Sequence, residues 1–151
     1  MAAKTEINLD ADGRPSAAGT DTVKTINALI DYLGGGATPS QIVATAAFFK
    51  KTVKAGAGVL HSLYVFNTTT SPLYAKFYNK ASDPSPSGGD TPIFIVELPP
   101  KVGTVDGQIM WSPPTPFAFA TGIAMVIVPS LTATNETALS AGDCYGVVGY
   151  V

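Results

Sequence analysis

"LYVFNTTTSPLYAKFYNK", residues 63–80, decides how this chain is read. Two apolar, aromatic-rich runs flank a polar stretch, as two strands flank a turn. In the second run Leu73, Ala75 and Phe77 fall on one face, and Tyr74, Lys76, Tyr78 and Lys80 on the other. That period of two belongs to a half-buried sheet strand. The stretch therefore reads as a β-hairpin in a structural wall. Its tyrosine and lysine face is expected to look outward, towards solvent, a sister subunit or a sugar, with Lys76 snorkelling between Tyr74 and Tyr78.

Working outward, short runs of the same kind recur between turn signals: residues 48–55, 59–67, 92–98, 107–112, 117–128 and 144–151. The spacers are rich in Gly, Pro, Ser and Asp, as in "SDPSPSGGD" and "PPKVGTVDG". Seven or eight short strands with no helices between them predict an all-β fold, an antiparallel β-sandwich or jelly roll. Within it "GIAMVIV" lacks alternation, so it is expected to be covered on both faces. The last run is expected to be held in a sheet.

The first 36 residues have another character. Residues 1–21 show no sustained period and read as a loop or extended arm. In "TDTVKTINALIDYLGGG" the apolar residues Val23, Ile26, Leu29, Ile30 and Leu33 are spaced by three and four, with Thr20 or Asp21 as cap and glycines at the exit. This predicts a short amphipathic helix. A helix of about three turns depends on packing of its apolar face, so these residues are candidate interface positions, together with Tyr74 and Tyr78. Gly34–Gly36 form a joint, dividing the chain into an arm with helix, 1–36, and a β domain, 37–151.

Composition narrows the function classes. The chain has 151 residues, 9 basic against 11 acidic, and charged residues make up only 13%, about half the roughly 25% usual in soluble domains. Mean hydropathy is +0.25. Yet the longest apolar run, Ile123–Val128, is far below the ~18 residues of a membrane-spanning helix. Charge depletion marks the cores of protein interfaces, and burial against other subunits is the expected outlet for this apolarity. Lysines are scattered, so nucleic-acid binding lacks an electrostatic footprint. A lone cysteine, Cys144, and the absence of an apolar leader suggest synthesis in a reducing cytosol. The glycosylation patterns at Asn67 and Asn135 carry no weight there.

Chemistry has few candidates. His61 is the only histidine and Cys144 the only cysteine, which leaves a His–Cys nucleophilic pair conceivable and a zinc site without ligands. A cysteine entering an apolar strand is more often a packed residue. Asp83, Asp90, Asp106 and Asp143 sit in turn-like segments where aspartate caps backbone. "DADG" at 10–13 lacks the remaining ligands and closing Glu of a calcium loop. Tyr64, Phe66, Tyr74, Tyr78 and Trp111 offer a conceivable sugar-stacking surface, though aromatics are more often core or interface. No cofactor is expected.

From about Ala55 to Val151 the pattern "LYVFNTTTSPLYAKFYNKAS", then "DTP", an apolar strand, "FATGIAM" and a C-terminal strand resembles small virion proteins of tailed bacteriophages. This resemblance implies a non-enzymatic capsid decoration or cement protein on the head surface, made in the host bacterial cytoplasm. Its implied partners are the major capsid protein and copies of itself in a homotrimer. A tail, fibre or baseplate module binding carbohydrate is the first alternative, with Trp111 as its test residue. A small hydrolase is the second.

Overall fold

The computed structural model describes residues 37–113 and 115–151, so the predicted arm and helix, with Val23, Ile26, Leu29, Ile30 and Leu33, lie outside the described residues. The described chain is all-β, with nine strands and no helix: β1 (Thr38–Val43), β2 (Phe49–Lys54), β3 (Gly58–Asn67), β4 (Leu73–Asn79), β5 (Phe94–Leu98), β6 (Gly107–Trp111), β7 (Phe117–Phe119), β8 (Ile123–Val128) and β9 (Cys144–Tyr150). Two antiparallel sheets result. The first has the order β1-β9-β3-β6, with β7 also on β3, and the second β2-β8-β4-β5. Leu63–Asn67 pair with β6 and Gly58–Leu60 with β7, which makes β6 and β7 one edge broken at residues 112–116. That break contains Pro113 and Pro116, residues that cannot donate to a ladder.

The hairpin reading of residues 63–80 is corrected. β3 belongs to the first sheet and β4 to the second, so Thr68–Pro72 is a corner between sheets. Asn67, fully buried, makes that corner. Its Nδ2 donates to the carbonyls of Ser71, Leu98 and Pro99 at 2.9, 3.2 and 3.0 Å, while its Oδ1 accepts from Thr69 N and Oγ1 at 2.9 and 2.8 Å. One amide thus ties the end of β3 to its own turn and to the end of β5 in the other sheet. Alternation within each strand was legible; which strand each one pairs with is a non-local matter.

Two further readings change. The predicted run 117–128 is split, because Ala120–Gly122 carries the chain from β7 in the first sheet to β8 in the second. β1 lies outside the predicted runs, since "TPSQIV" has no apolar alternation. It is an edge strand held by β9 alone, a place where Pro39 is tolerated. By contrast, β8 is buried at every residue, between β2 and β4, as its unalternating sequence predicts. Val151 and Val59 exchange backbone hydrogen bonds of 3.0 and 2.9 Å, so the last run is held in the sheet.

The inner faces of both sheets share one core. Ile42, Leu60, Leu63, Val65, Cys144 and Val148 come from the first sheet, Leu73, Ala75, Phe77, Leu98, Met125 and Ile127 from the second. Burial of a leucine- or phenylalanine-sized side chain stabilises by about 1.5–3 kcal/mol, and this shared layer is what joins the sheets. Phe94 stands at its margin, stacked on Phe77 at 4.7 Å and on Phe117 at 4.6 Å, with Trp111 at 5.7 Å.

The outer face of the second sheet is covered too, which corrects the open tyrosine and lysine wall. Tyr78 is 2% exposed and packs in a second cluster with Ala124, Val126, Val128 and Phe48. Lys76 is fully buried, and its Nζ donates to the Thr132 carbonyl at 2.5 Å. The β8–β9 connection therefore lies over β4. It is pinned there by Ser87 N donating to Glu136 Oε1 at 3.0 Å and by Leu139 N donating to the Ala47 carbonyl at 3.1 Å. Tyr74 is half-buried.

Candidate functional site

Two regions of the described surface are apolar without cover from the described residues. The first is the outer face of the first sheet. Because Ile42, Leu63, Val65, Cys144 and Val148 point into the core, the alternate residues point out. Strand register then sets them in rows: Val43–Tyr145–Phe66–Gln108, then Gln41–Val147–Tyr64–Met110. Phe66 stacks on Tyr145 and meets Tyr64 edge-on, each at 4.8 Å between centroids. Aromatic pairs such as these, one across strands and one along β3, add about 0.5–1.5 kcal/mol beyond burial. Neither row contains a charged residue. Charges adjoin the rows at two places: Asp106 accepts from Tyr145 Oη at 3.4 Å and pairs with Lys101 at 3.4 Å, and Lys51 Nζ donates to the Gln41 carbonyl at 2.5 Å. Burial and the Asp106 carboxylate push the Tyr145 phenol above its ordinary range.

The second region is the side of the molecule where both sheets end. Of the ten exposed large hydrophobics among the described residues, six lie between Ile93 and Phe117: Ile93, Ile95, Val102, Val105, Met110 and Phe117. β5 is the last strand of its sheet, β6 and β7 form the last edge of theirs, and the contacts of Phe94 with Trp111 and Phe117 bring those edges together. Between β5 and β6 a tight turn closes with Val102 and Val105 bridging each other at its tip. Gly103, at φ +61°, supplies the left-handed residue this turn needs. Val102 and Val105 are 75% and 68% exposed, and Met110 79%. Soluble proteins usually blunt edge strands with charge. Here β6 and β7 carry none, and β5 only Glu97.

The residues singled out for chemistry are dispersed. Cys144 pairs with Asn67 in the β3–β9 ladder, six residues along β3 from His61, which is about 20 Å at ~3.3 Å per residue. A proton cannot pass directly over that distance, since a base must lie within hydrogen-bond reach. Burial, then the Asp143 carboxylate, push the Cys144 thiol up to about 12, away from the thiolate a nucleophile needs. His61 sits where the β3–β9 register slips between Leu60 and Ser62. Trp111, the test residue of the carbohydrate alternative, turns inward against Phe94 and Phe117. Asp83 caps the register slip of β2 by accepting from Thr52 N and Oγ1 at 2.9 and 2.7 Å. Asp90 pairs with Lys80 at 2.5 Å and accepts from Ser85 N at 2.7 Å; these bonds hold its carboxyl below the usual range. Among the described residues no group of three His, Cys, Asp or Glu is placed to hold a metal.

A shallow pocket of about 310 Å³ lies beside that ion pair, lined by Tyr78, Asn79, Lys80, Asp90, Thr91 and Ile93. No helix among the described residues is long and apolar enough to cross a membrane. Comparison with protein-family models, with curated proteins and with solved structures yields no match.

Proposed function

We propose that this protein is a non-enzymatic assembly subunit, a decoration or cement protein of a bacteriophage head. The observation that carries the assembly reading is the β5–β7 side: six exposed large hydrophobics on β5, β6, β7 and the segments beside them, where Glu97 is the only charged strand residue. Isolated, such edges invite pairing with another chain. Buried in a regular contact, the same residues supply the apolar core of an interface. The phage assignment and the homotrimer rest on the resemblance of residues 55–151.

The strand orders favour a jelly roll as the finer form of the fold. From β1 to β4 each connection crosses between sheets, β4 to β5 stays in the second, and β5–β6, β7–β8 and β8–β9 cross again. Counting β6 and β7 as one broken edge, two sheets of four related in this way are the wrapping expected of a jelly roll.

The mechanism is linkage. A subunit that binds the assembled shell and not its dispersed proteins stabilises the shell by mass action. Its partners are the major capsid protein and further copies of itself, on the surface of the head. Sedimentation velocity of the full chain, followed by co-sedimentation with expanded heads, tests this. Wild type forms a trimer and pellets with heads in many copies per particle, whereas Ile95→Lys with Met110→Lys, both exposed and outside the core, weakens both at least tenfold. Unchanged association of that double variant overturns the role of the β5–β7 side, and a copy number confined to tails overturns the head assignment.

A further inference from the structure

We propose that residues 23–33 of the same chain lie across the outer face of the first sheet, with Ile26 and its apolar neighbours against Tyr64, Phe66, Tyr145 and Val147. This surface shares Met110 with the β5–β7 side and is otherwise separate, and its test below leaves Met110 untouched. Four observations bear on it. The side chains of two full rows are uncharged, apolar except for Gln41 and Gln108, and have no cover among the described residues. By contrast, the outer face of the second sheet is covered by the chain's own β8–β9 connection.

The chain outside the described residues ends at Gly36, and β1, which follows after Ala37, is an edge strand of this same sheet. That segment also carries the one long sequence stretch with apolar residues spaced by three and four. Gly34–Ala37 can span about 13 Å at ~3.3 Å per residue. The near row, at Gln41 and Val147, lies three residues up β1, about 10 Å, and one strand across, about 5 Å. Eleven helical residues measure about 16 Å, close to the length of β1, and a three- or four-residue joint is the usual length of a helix-to-strand loop. A joint this short gives the chain's own segment an effective concentration in the millimolar range, which favours it over the segment of a second copy.

Cysteine pairing in the full chain tests this. Cys144→Ala removes the native thiol. Onto that background Ile26→Cys is combined with Val147→Cys, and separately with Lys50→Cys, an exposed position on the second sheet. The expected result is an intramolecular disulfide for the first pair, at least tenfold more than for the second and unchanged by hundredfold dilution. Cross-linked dimers that disappear on dilution would overturn the proposal in favour of a second copy on this face. Equal yields for the two pairs would also overturn it. Labelling of Val147→Cys by a thiol reagent gives an independent reading, expected to speed up about tenfold when Ile26→Asp and Ile30→Asp are added. An unchanged rate refutes the contact.

Discussion

Replacing Asn67 by alanine should destabilise the protein by about 3–5 kcal/mol. The side chain is fully buried and serves five partners: the carbonyls of Ser71, Leu98 and Pro99, and the Thr69 N–H and hydroxyl. Alanine leaves all five without that partner. The Leu98 carbonyl is the most buried of them, and an unsatisfied buried group costs about 1–3 kcal/mol. Water entering the truncated corner can reach the part-buried groups around Ser71, Thr69 and Pro99, so each of those adds less, roughly 0.5 kcal/mol. Asn67→Asp separates donor from acceptor. It keeps an acceptor for Thr69 but sets a carboxylate against three carbonyl oxygens, so it should cost at least as much as alanine at neutral pH and less once the carboxyl is protonated. Urea unfolding followed by tryptophan fluorescence, at pH 7 and pH 4, gives both numbers. A loss below 1 kcal/mol for Asn67→Ala, or an aspartate variant indistinguishable from wild type at pH 7, would refute the view that this amide holds the sheet-to-sheet corner.

Other outcomes follow from single residues. A Cβ on Gly146 would lie 2.1 Å from the Tyr64 carbonyl oxygen of the adjacent strand, whereas one on Gly56 would meet nothing within 4 Å. Gly146→Ala should therefore abolish cooperative unfolding or cost several kcal/mol, as overpacking against rigid backbone does, and Gly56→Ala should be nearly neutral by the same assay. The Tyr78 hydroxyl is buried with no hydrogen-bond partner among the described residues, so Tyr78→Phe should be neutral or stabilising by about 1 kcal/mol in thermal unfolding. The Cys144 thiol, with an ordinary value of 9.0 raised to about 12, stays protonated in the fold while the unfolded chain ionises. Its contribution is whole below pH 9 and is lost between about pH 9 and 12, at up to about 1.4 kcal/mol per pH unit. Cys144→Ala should flatten that part of a stability–pH curve, and the native thiol should resist alkylation at pH 8.

Residues 63–80 show how far local pattern reaches. Alternation placed Leu73, Ala75 and Phe77 on the core face, and they are there. It could not show that β3 and β4 part into different sheets, because partner choice is settled by β9 and β6 on one side and β8 and β5 on the other. Nor could it reveal that Lys76 and Tyr78 are roofed over, since the roof arrives from the β8–β9 connection, more than fifty residues along the chain. The uncharged rows around Tyr145 and Phe66 were invisible for the same reason: each strand contributes two residues, and only register makes them a surface.

The sequence by itself determined the all-β class, the position of most strands, the fully covered β8 and the shortage of charge. These depend on side-chain period and composition, which any short window of chain contains. Tertiary structure alone decided which strands share a sheet, which tyrosines are exposed and how far His61 lies from Cys144. Those depend on pairing between distant segments, where burial of one shared core and the hydrogen bonds of a single amide at Asn67 outweigh the local preference of two neighbouring strands to fold back on each other.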